Sequence, residues 1–142
     1  KVIIMLSAYP ACIYKEKEKG YSVVFPDLNH LATCGDTLDE ALFMAVDCLA
    51  GYLFEAEKEG ITVIPPSDMN DIDPSSEYDD YDEVFVNIIT VDVKEYAKKH
   101  FEKSIKKTLT IPLWLNNMAV NENINFSNVL QSALKEKLNI RE

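Results

Sequence analysis

Polar side chains that can hydrogen-bond to nucleic-acid bases alternate near the C-terminal end of the chain. Lys106, Thr108 and Thr110 are separated by single residues, so an extended backbone places all three on one face. Lysine donates to the O6 and N7 atoms of guanine, and threonine offers a hydroxyl and a methyl group suited to thymine. The opposite face carries Leu109 and Ile111, a pattern that also fits an ordinary half-buried strand. This spacing alone is compatible both with base contact and with simple strand packing.

A second group of candidate contacts lies at the start of the last predicted helix. Asn125 is a favoured N-cap residue, and the backbone amides of Phe126, Ser127 and Asn128 would lie unpaired at the positive end of the helix dipole. Such helix ends bind phosphate, and the Ser127 hydroxyl adds a donor. Lys107, at the edge of the predicted strand, supplies a positive charge. We therefore predict phosphate contacts from Lys107 and the first three residues of this helix.

These side chains belong to a strand followed by two short helices. The strand covers 106–111, Pro112 follows it, and helical patterns run over 113–119 and 125–138. This order resembles the ribbon-helix-helix family of DNA-binding proteins. One strand and two helices bury too little apolar surface to fold alone, so two copies must pair. The resemblance implies an obligate homodimer whose paired ribbon lies in the major groove of operator double-stranded DNA, with the three alternating polar residues contacting bases.

Four carboxylates invite a comparison with metal-dependent nucleases: Asp27, Asp36, Asp39 and Glu40. Such catalysis needs carboxylates that converge from several elements. Here three of the four surround a predicted helix start, where acids stabilise the helix dipole, and Asp27 follows a proline in a turn. We expect a non-enzymatic protein without a metal or cofactor, with a nuclease as the less favoured alternative.

The histidines and cysteines show no catalytic or metal-ligand spacing. His30 and His100 are isolated, which predicts surface or structural roles. Cys12, Cys34 and Cys48 are predicted to be reduced, buried thiols in a cytoplasmic protein. The sequence has no apolar run of about 18 residues, which predicts no membrane span, and its start is not typical of a secretory signal.

Charge divides the chain into parts of opposite sign. Residues 94–142 hold nine Lys/Arg and five acidic residues, whereas 1–93 hold five and nineteen, giving net charges of +4 and −14. The split predicts an acidic domain over 1–93, a helical connector over 94–103 and a basic domain over 104–142. An acidic domain of this kind attracts a basic partner, although its charge can also serve solubility alone.

The acidic part carries the pattern of a β-β-β-α-β domain built on a mixed sheet. Its predicted strands span 8–16, 21–26, 31–35 and 84–93. Thr37 and Glu40 have the spacing of a capping box, and Gly60 ends the helix that they begin. The last strand is apolar on both faces and is expected to be central or paired.

A Pro-, Ser- and Asp-rich stretch over 65–83 lacks periodicity and is predicted to be an exposed, mobile loop. Its acidic residues are either simply solvated or mimic phosphates against a basic partner. Tyr78 and Tyr81 are candidate interface anchors, because tyrosine is enriched at binding hot spots.

Two neighbouring motifs resemble the HicB antitoxin family. They are the stretches Gly20–Leu28 (GYSVVFPDL) and Ala32–Ala41 (ATCGDTLDEA). One branch of that family carries a ribbon-helix-helix tail, which 104–142 matches. The resemblance implies a type II antitoxin that binds a small basic HicA-like ribonuclease toxin and represses its own operon. It also implies that the N-terminal domain is a partial ribonuclease-H-like unit.

Taken together, the sequence predicts an α+β protein: an N-terminal β-β-β-α-β domain, a helical connector and a C-terminal ribbon-helix-helix. The toxin-binding residues are not assigned by these patterns. The alternatives are a ligand-sensing ribbon-helix-helix regulator without a toxin partner and the metal-dependent nuclease.

Overall fold

The computed structural model describes residues 5–141 and has the α+β class that the sequence predicts. Contacts divide the chain into two compact units, and the boundary along the sequence lies between Lys103 and Ser104. Four strands are present: β1 Ser7–Lys15, β2 Tyr21–Phe25, β3 Leu31–Gly35 and β4 Glu83–Val91. The helices are α1 Leu38–Glu59, α2 Pro74–Glu77, α3 Val93–His100, α4 Leu113–Asn121 and α5 Phe126–Lys137, with a 3₁₀ turn at Met69–Asp71. Within 5–141 no helix is both long and apolar enough to cross a bilayer.

The strands form one sheet in the order β3-β2-β1-β4, and every neighbouring pair is antiparallel. The expectation of a mixed sheet is wrong, because the chain between α1 and β4 returns β4 in the direction opposite to β1. The β1–β2 hairpin closes where the sequence predicts. Its turn ends at Gly20, whose φ of 92° is favourable only for glycine and whose carbonyl accepts a hydrogen bond from the Glu16 amide.

Helix α1 begins and ends at the residues that the capping pattern predicts. The Thr37 side chain accepts the Glu40 amide at 3.2 Å, while the Glu40 carboxylate accepts the Asp36 amide at 2.9 Å. At the other end Gly60 adopts the left-handed conformation, with φ 70°.

The core lies between α1 and one face of the sheet. It contains apolar side chains from the strands, from the β2–β3 turn and from the helix: Tyr9, Ala11, Ile13, Val23, Phe25, Leu28, Ala41, Ala45, Leu49, Ala50, Ile89 and Val91. Gly35 allows the helix to approach this closely, since a Cβ atom there would lie 2.4 Å from the Ala41 amide nitrogen. Helix α3 packs beside α1, with Phe101 against Phe54 at 5.5 Å between ring centroids.

The other face of the sheet is covered by the segment 65–83, which we call the acidic segment. Most of this segment is exposed, as the sequence predicts, but it is more ordered than a plain loop, because it contains a 3₁₀ turn and α2 and packs on β1. The hydroxyl of buried Tyr14 donates to the Pro74 carbonyl at 2.6 Å. Tyr78 and Tyr81 pack against the Tyr14 ring, with centroids 5.4 and 5.2 Å away.

Strand β4 is paired, as expected, but it lies at the edge of the sheet and not at its centre. Its register with β1 is continuous from Glu83↔Lys15 to Val91↔Ser7. Only Ile89 and Val91 of this strand are buried. The apolar pattern on both faces therefore does not mark a central strand.

The C-terminal unit contains α4 and α5 joined by a short turn at Asn123, which adopts the left-handed conformation. The predicted strand over 106–111 is absent, since residues 102–112 belong to neither helix nor strand. A strand exists only through its ladder of hydrogen bonds with a partner, and the single chain supplies none here. No residue from 104 to 141 is buried.

Candidate functional site

The predicted base-contacting residues lie together on an exposed stretch of chain. Lys106, Thr108 and Thr110 are all exposed, and so is the predicted phosphate contact Lys107. Their apolar neighbours are exposed too: the exposed fractions of Ile105, Leu109 and Ile111 are 83%, 58% and 41%.

Helix α4 is apolar on almost every side. It follows Pro112, which occupies the N-cap position. Leu113, Trp114, Leu115, Met118 and Val120 are all exposed. A helix that is apolar all around is normally buried on more than one side. In the single chain, Trp114 therefore lacks the helix-packing environment that its type predicts.

The start of α5 has the predicted cap but fewer free donors than expected. Asn125 is the N-cap, and its side chain accepts the Asn128 amide at 3.1 Å. The expectation that the Asn128 amide is unpaired is therefore wrong. Among the described residues the amides of Phe126 and Ser127 have no such partner, and the Ser127 hydroxyl accepts from Gln131 at 3.0 Å.

Three of the four carboxylates of the nuclease alternative have local structural partners. Both oxygens of Asp27 accept hydrogen bonds from Ser67, at 2.6 and 2.8 Å. Asp36 lies 3.4 Å from the Lys19 ammonium, and the Glu40 carboxylate accepts the Asp36 amide at the start of α1. Asp39 is exposed in the first turn of that helix. Across residues 5–141 no three His, Cys, Asp or Glu side chains are grouped so as to hold a metal ion.

The histidines make structural contacts of the kind predicted. His30 pairs with the largely buried carboxylate of Glu77, which ties the β2–β3 turn to the acidic segment. His100 stacks on Tyr96, with ring centroids 4.1 Å apart. The Tyr96 hydroxyl donates to Asp47 at 2.8 Å, and burial together with this hydrogen bond raises the pKa of Tyr96 to about 12.

The cysteines are free thiols that differ in exposure. Cys12 is buried, and burial raises its pKa. Cys48 is half-buried, and burial followed by the charge of Asp47 raises its pKa. Cys34 is exposed on β3, so the prediction that all three are buried is wrong.

The acidic segment is fixed to the β1–β2 hairpin by ion pairs as well as tyrosine packing. Lys17 pairs with Asp80, and Lys15 lies 3.9 Å from Asp82. The Tyr78 hydroxyl donates to Glu16 at 3.2 Å. The two tyrosines singled out as interface anchors therefore pack within the chain and are only half-exposed.

Sequence reasoning missed the anchoring role of Tyr14. Residues 9–14 form a run of six non-polar residues, and all six are buried. A run of this kind is typical of a strand covered on both faces. That pattern could have indicated that the acidic segment covers the second face.

Comparison with known proteins gives a family match over most of the chain. The family model for the HicB-like antitoxin of bacterial toxin–antitoxin systems matches residues 9–134. The protein "Antitoxin HicB 1" of Photorhabdus laumondii is 45% identical over 49 residues, which are 34% of this chain. The chain spans about a third (32%) of the length of that curated relative.

Solved structures resemble the chain over nearly its whole length. A chain of a toxin–antitoxin complex from Streptococcus pneumoniae is 31% identical, with a TM-score of 0.60; the match covers 94% of this chain and 99% of that one. The Burkholderia pseudomallei antitoxin HicB is 18% identical over 95% of this chain and 98% of its own, with a TM-score of 0.49. Because the family model matches residues 9–134, well over half of its length, the chain belongs to the HicB-like antitoxin family.

Proposed function

We propose that this chain neutralises a small basic, HicA-like ribonuclease toxin through its acidic N-terminal domain and represses its own operon as a DNA-bound homodimer. In this proposal residues 104–142 form the ribbon-helix-helix. The N-terminal domain keeps a partial ribonuclease-H-like arrangement that serves binding and not catalysis.

One observation carries the dimer. Every buried residue among those described lies between Tyr9 and Ala97, whereas fourteen of the twenty-two exposed large hydrophobic side chains lie from Ile105 to Ile140. Such a concentration of exposed apolar surface on a soluble domain marks an interaction site. A second copy would pair the 106–111 segments and bury both sets of Leu109 and Ile111 side chains.

DNA binding follows from what pairing would leave outside. Residues of the opposite parity, Lys106, Thr108 and Thr110, would remain on the outer face of the ribbon and contact base edges. Lys107 and the start of α5 would contact phosphate. Asn128 would contribute through its side chain, because its amide already donates to the side chain of the N-cap residue Asn125.

Toxin binding is supported by charge and by likeness. A protein that cleaves RNA must attract phosphates and is therefore basic, which complements the net charge of −14 over residues 1–93. The similar Streptococcus pneumoniae chain comes from a toxin–antitoxin complex.

Two measurements test this function. Fluorescence anisotropy on duplex from upstream of the chain's own gene should show tight, sequence-selective binding with a steep salt dependence, and a scrambled duplex should bind weakly. A search beside the gene should find a short basic open reading frame whose product arrests growth when expressed alone, and co-expression of this chain should restore growth. Equal affinity for scrambled DNA would refute repression, and growth arrest despite co-expression would refute neutralisation.

A further inference from the structure

The outer edge of β4 differs from the usual protected sheet edge. Nine consecutive residues of this strand pair with β1 on one side, and within residues 5–141 no strand pairs with its other side. Soluble proteins normally protect such an edge with lysine, proline, a bulge or a very short strand. Between Glu83 and Val91 there is no lysine and no proline, and the register has no bulge.

The opposite edge of the same sheet, formed by β3, is protected in one of these usual ways, because the strand is short. Strand β3 has five residues, and its central positions are the small side chains of Ala32, Thr33 and Cys34. Strand β4 instead exposes Phe85 on one face and Ile88 on the other, with exposed fractions of 43% and 37%. The contrast indicates that the β4 edge is adapted to pair.

The direction of the β4 backbone groups is fixed by two independent observations. Pro10 has no amide hydrogen, so its pairing with Ile88 must be one in which both nitrogens point away from the other strand. The Ile88 amide accordingly donates to the Asn87 side chain at 2.9 Å. Because directions alternate along a strand, the amides of Val84, Val86 and Thr90 also point outward.

We propose that this edge is where the toxin docks, by adding one of its own strands to β4. The proposal rests on the proposed function, since it assigns a surface to the partner named there. Added strands gain affinity from main-chain hydrogen bonds and specificity from side-chain pockets, which the exposed Phe85 and Ile88 provide on the two faces.

Charge selects a basic partner over a second copy of this chain. The residues entering β4 include Asp79, Asp80, Asp82 and Glu83, and no basic residue lies between 68 and 83. Lys17 and Lys15 pair with two of these carboxylates. A docking strand flanked by Lys or Arg is therefore attracted, whereas a second domain of net charge −14 is repelled.

The test uses the full chain, with the small basic ribonuclease of the proposed function as the probe in titration calorimetry. Val86→Pro removes an outward amide without breaking the β1 ladder, and Ile88→Lys places a positive charge on the edge. Each should weaken binding by at least about 30-fold. Val86→Pro acts because the docked strand loses main-chain hydrogen bonds, and Ile88→Lys acts because its positive charge repels a basic partner. Ile61→Lys, at a site 56% exposed and outside the sheet, is the matched control and should bind normally.

Amide hydrogen exchange of the wild-type chain gives a second readout that does not depend on any variant folding. In the complex the outward amides of Val84, Val86 and Thr90 should gain at least about 10-fold protection, while the inward amides of Phe85 and Ile89 keep theirs. Protection of the outward amides in the free chain would assign the edge to a second copy and overturn the proposal.

The outcomes of these experiments distinguish edge docking from the antitoxin function. Wild-type binding with unchanged affinity in both edge variants would overturn edge docking and leave the antitoxin function standing. An absence of wild-type binding would refute the antitoxin function, and edge docking with it. Loss of affinity confined to the edge variants, with outward protection, would establish the edge as the docking site.

Discussion

The two units of the chain place their apolar residues differently. In the N-terminal unit Tyr9, Phe25 and Leu49 are packed between a sheet and a helix, and Tyr14 is covered by the acidic segment. In the C-terminal unit the apolar residues are just as frequent along α4, yet none is buried. The first unit has a core within one chain, and we infer that the second acquires its core by pairing. Stability of the first should be independent of concentration, and that of the second should depend on it.

Weakening the proposed ribbon should have the largest effect on the difference between the two units. Leu109→Ala removes an apolar side chain twice per dimer, and about 1.5–3 kcal/mol per buried leucine implies a loss of at least roughly 100-fold in the dimer constant. Light scattering after size exclusion should show a monomer where the wild type is a dimer. Thr108→Ala, on the opposite parity, should remain dimeric. A dimeric Leu109→Ala chain at low concentration would contradict the assigned parity.

A change in the core of the N-terminal unit should leave pairing untouched. Gly35→Ala forces a Cβ atom to within 2.4 Å of the Ala41 amide, so α1 must move away from β3, at a cost of about 3 kcal/mol. Thermal unfolding should show a lowered Tm for this unit with the dimer mass retained.

Gly51→Ala is the control for that substitution. A Cβ atom there meets only the Phe101 ring, at 3.8 Å, so alanine should be neutral or stabilise the helix by up to about 1 kcal/mol. Equal effects of the two substitutions would show that the close approach at Gly35 does not govern stability.

Salt dependence sharpens the division between base and phosphate contacts. Lys107→Ala should weaken binding to operator and scrambled DNA alike and lower the salt slope by about 1 for each lost contact. Lys106→Ala should instead cost about 1–3 kcal/mol at one base position and relax specificity there. Anisotropy titrations over a salt series measure both effects. An exchange of these two behaviours would reverse the roles of the two lysines.

The smallest expected effect concerns alkaline pH and the N-terminal unit alone. The pKa of Tyr96 is raised from 10.0 to about 12, so its neutral form stabilises the fold fully below pH 10. This contribution is lost as the pH rises toward 12. Denaturant unfolding at several pH values should show a steeper decline for the wild type than for Tyr96→Phe over that interval. Parallel declines would mean that Tyr96 ionises equally in both states.

Local signals predicted the elements that local contacts determine. The bounds of α1 were predictable from Thr37, Glu40 and Gly60, and the hairpin turn was predictable from Gly20. Capping and turn geometry depend on residues only a few positions apart, so the local sequence encodes them. The direction of β4 and the packing of the acidic segment depend on contacts such as Tyr14 with Pro74, sixty residues apart, which periodicity does not encode.

Two features of the candidate sites depend on a partner chain or on the position of a strand in the sheet, which the local sequence does not reveal. The alternation over 105–111 predicts a strand, but the single chain leaves that stretch without a ladder, since its proposed partner is another copy. The position of β4 at the sheet edge could not be predicted, because apolar residues on both of its faces are also typical of a central strand. The missing lysine, proline and bulge were the available sequence signal, and they acquire meaning only once the strand is known to lie at an edge.

Sedimentation equilibrium of the intact chain, at concentrations from nanomolar to micromolar, measures whether the C-terminal unit pairs. If it does, the mass should change reversibly from that of one chain to twice that mass, with Leu109→Ala shifted to higher concentration. A chain that stays monomeric throughout, with the amides of α4 protected from hydrogen exchange, would contradict this pairing, because the C-terminal unit would then be stable without a partner.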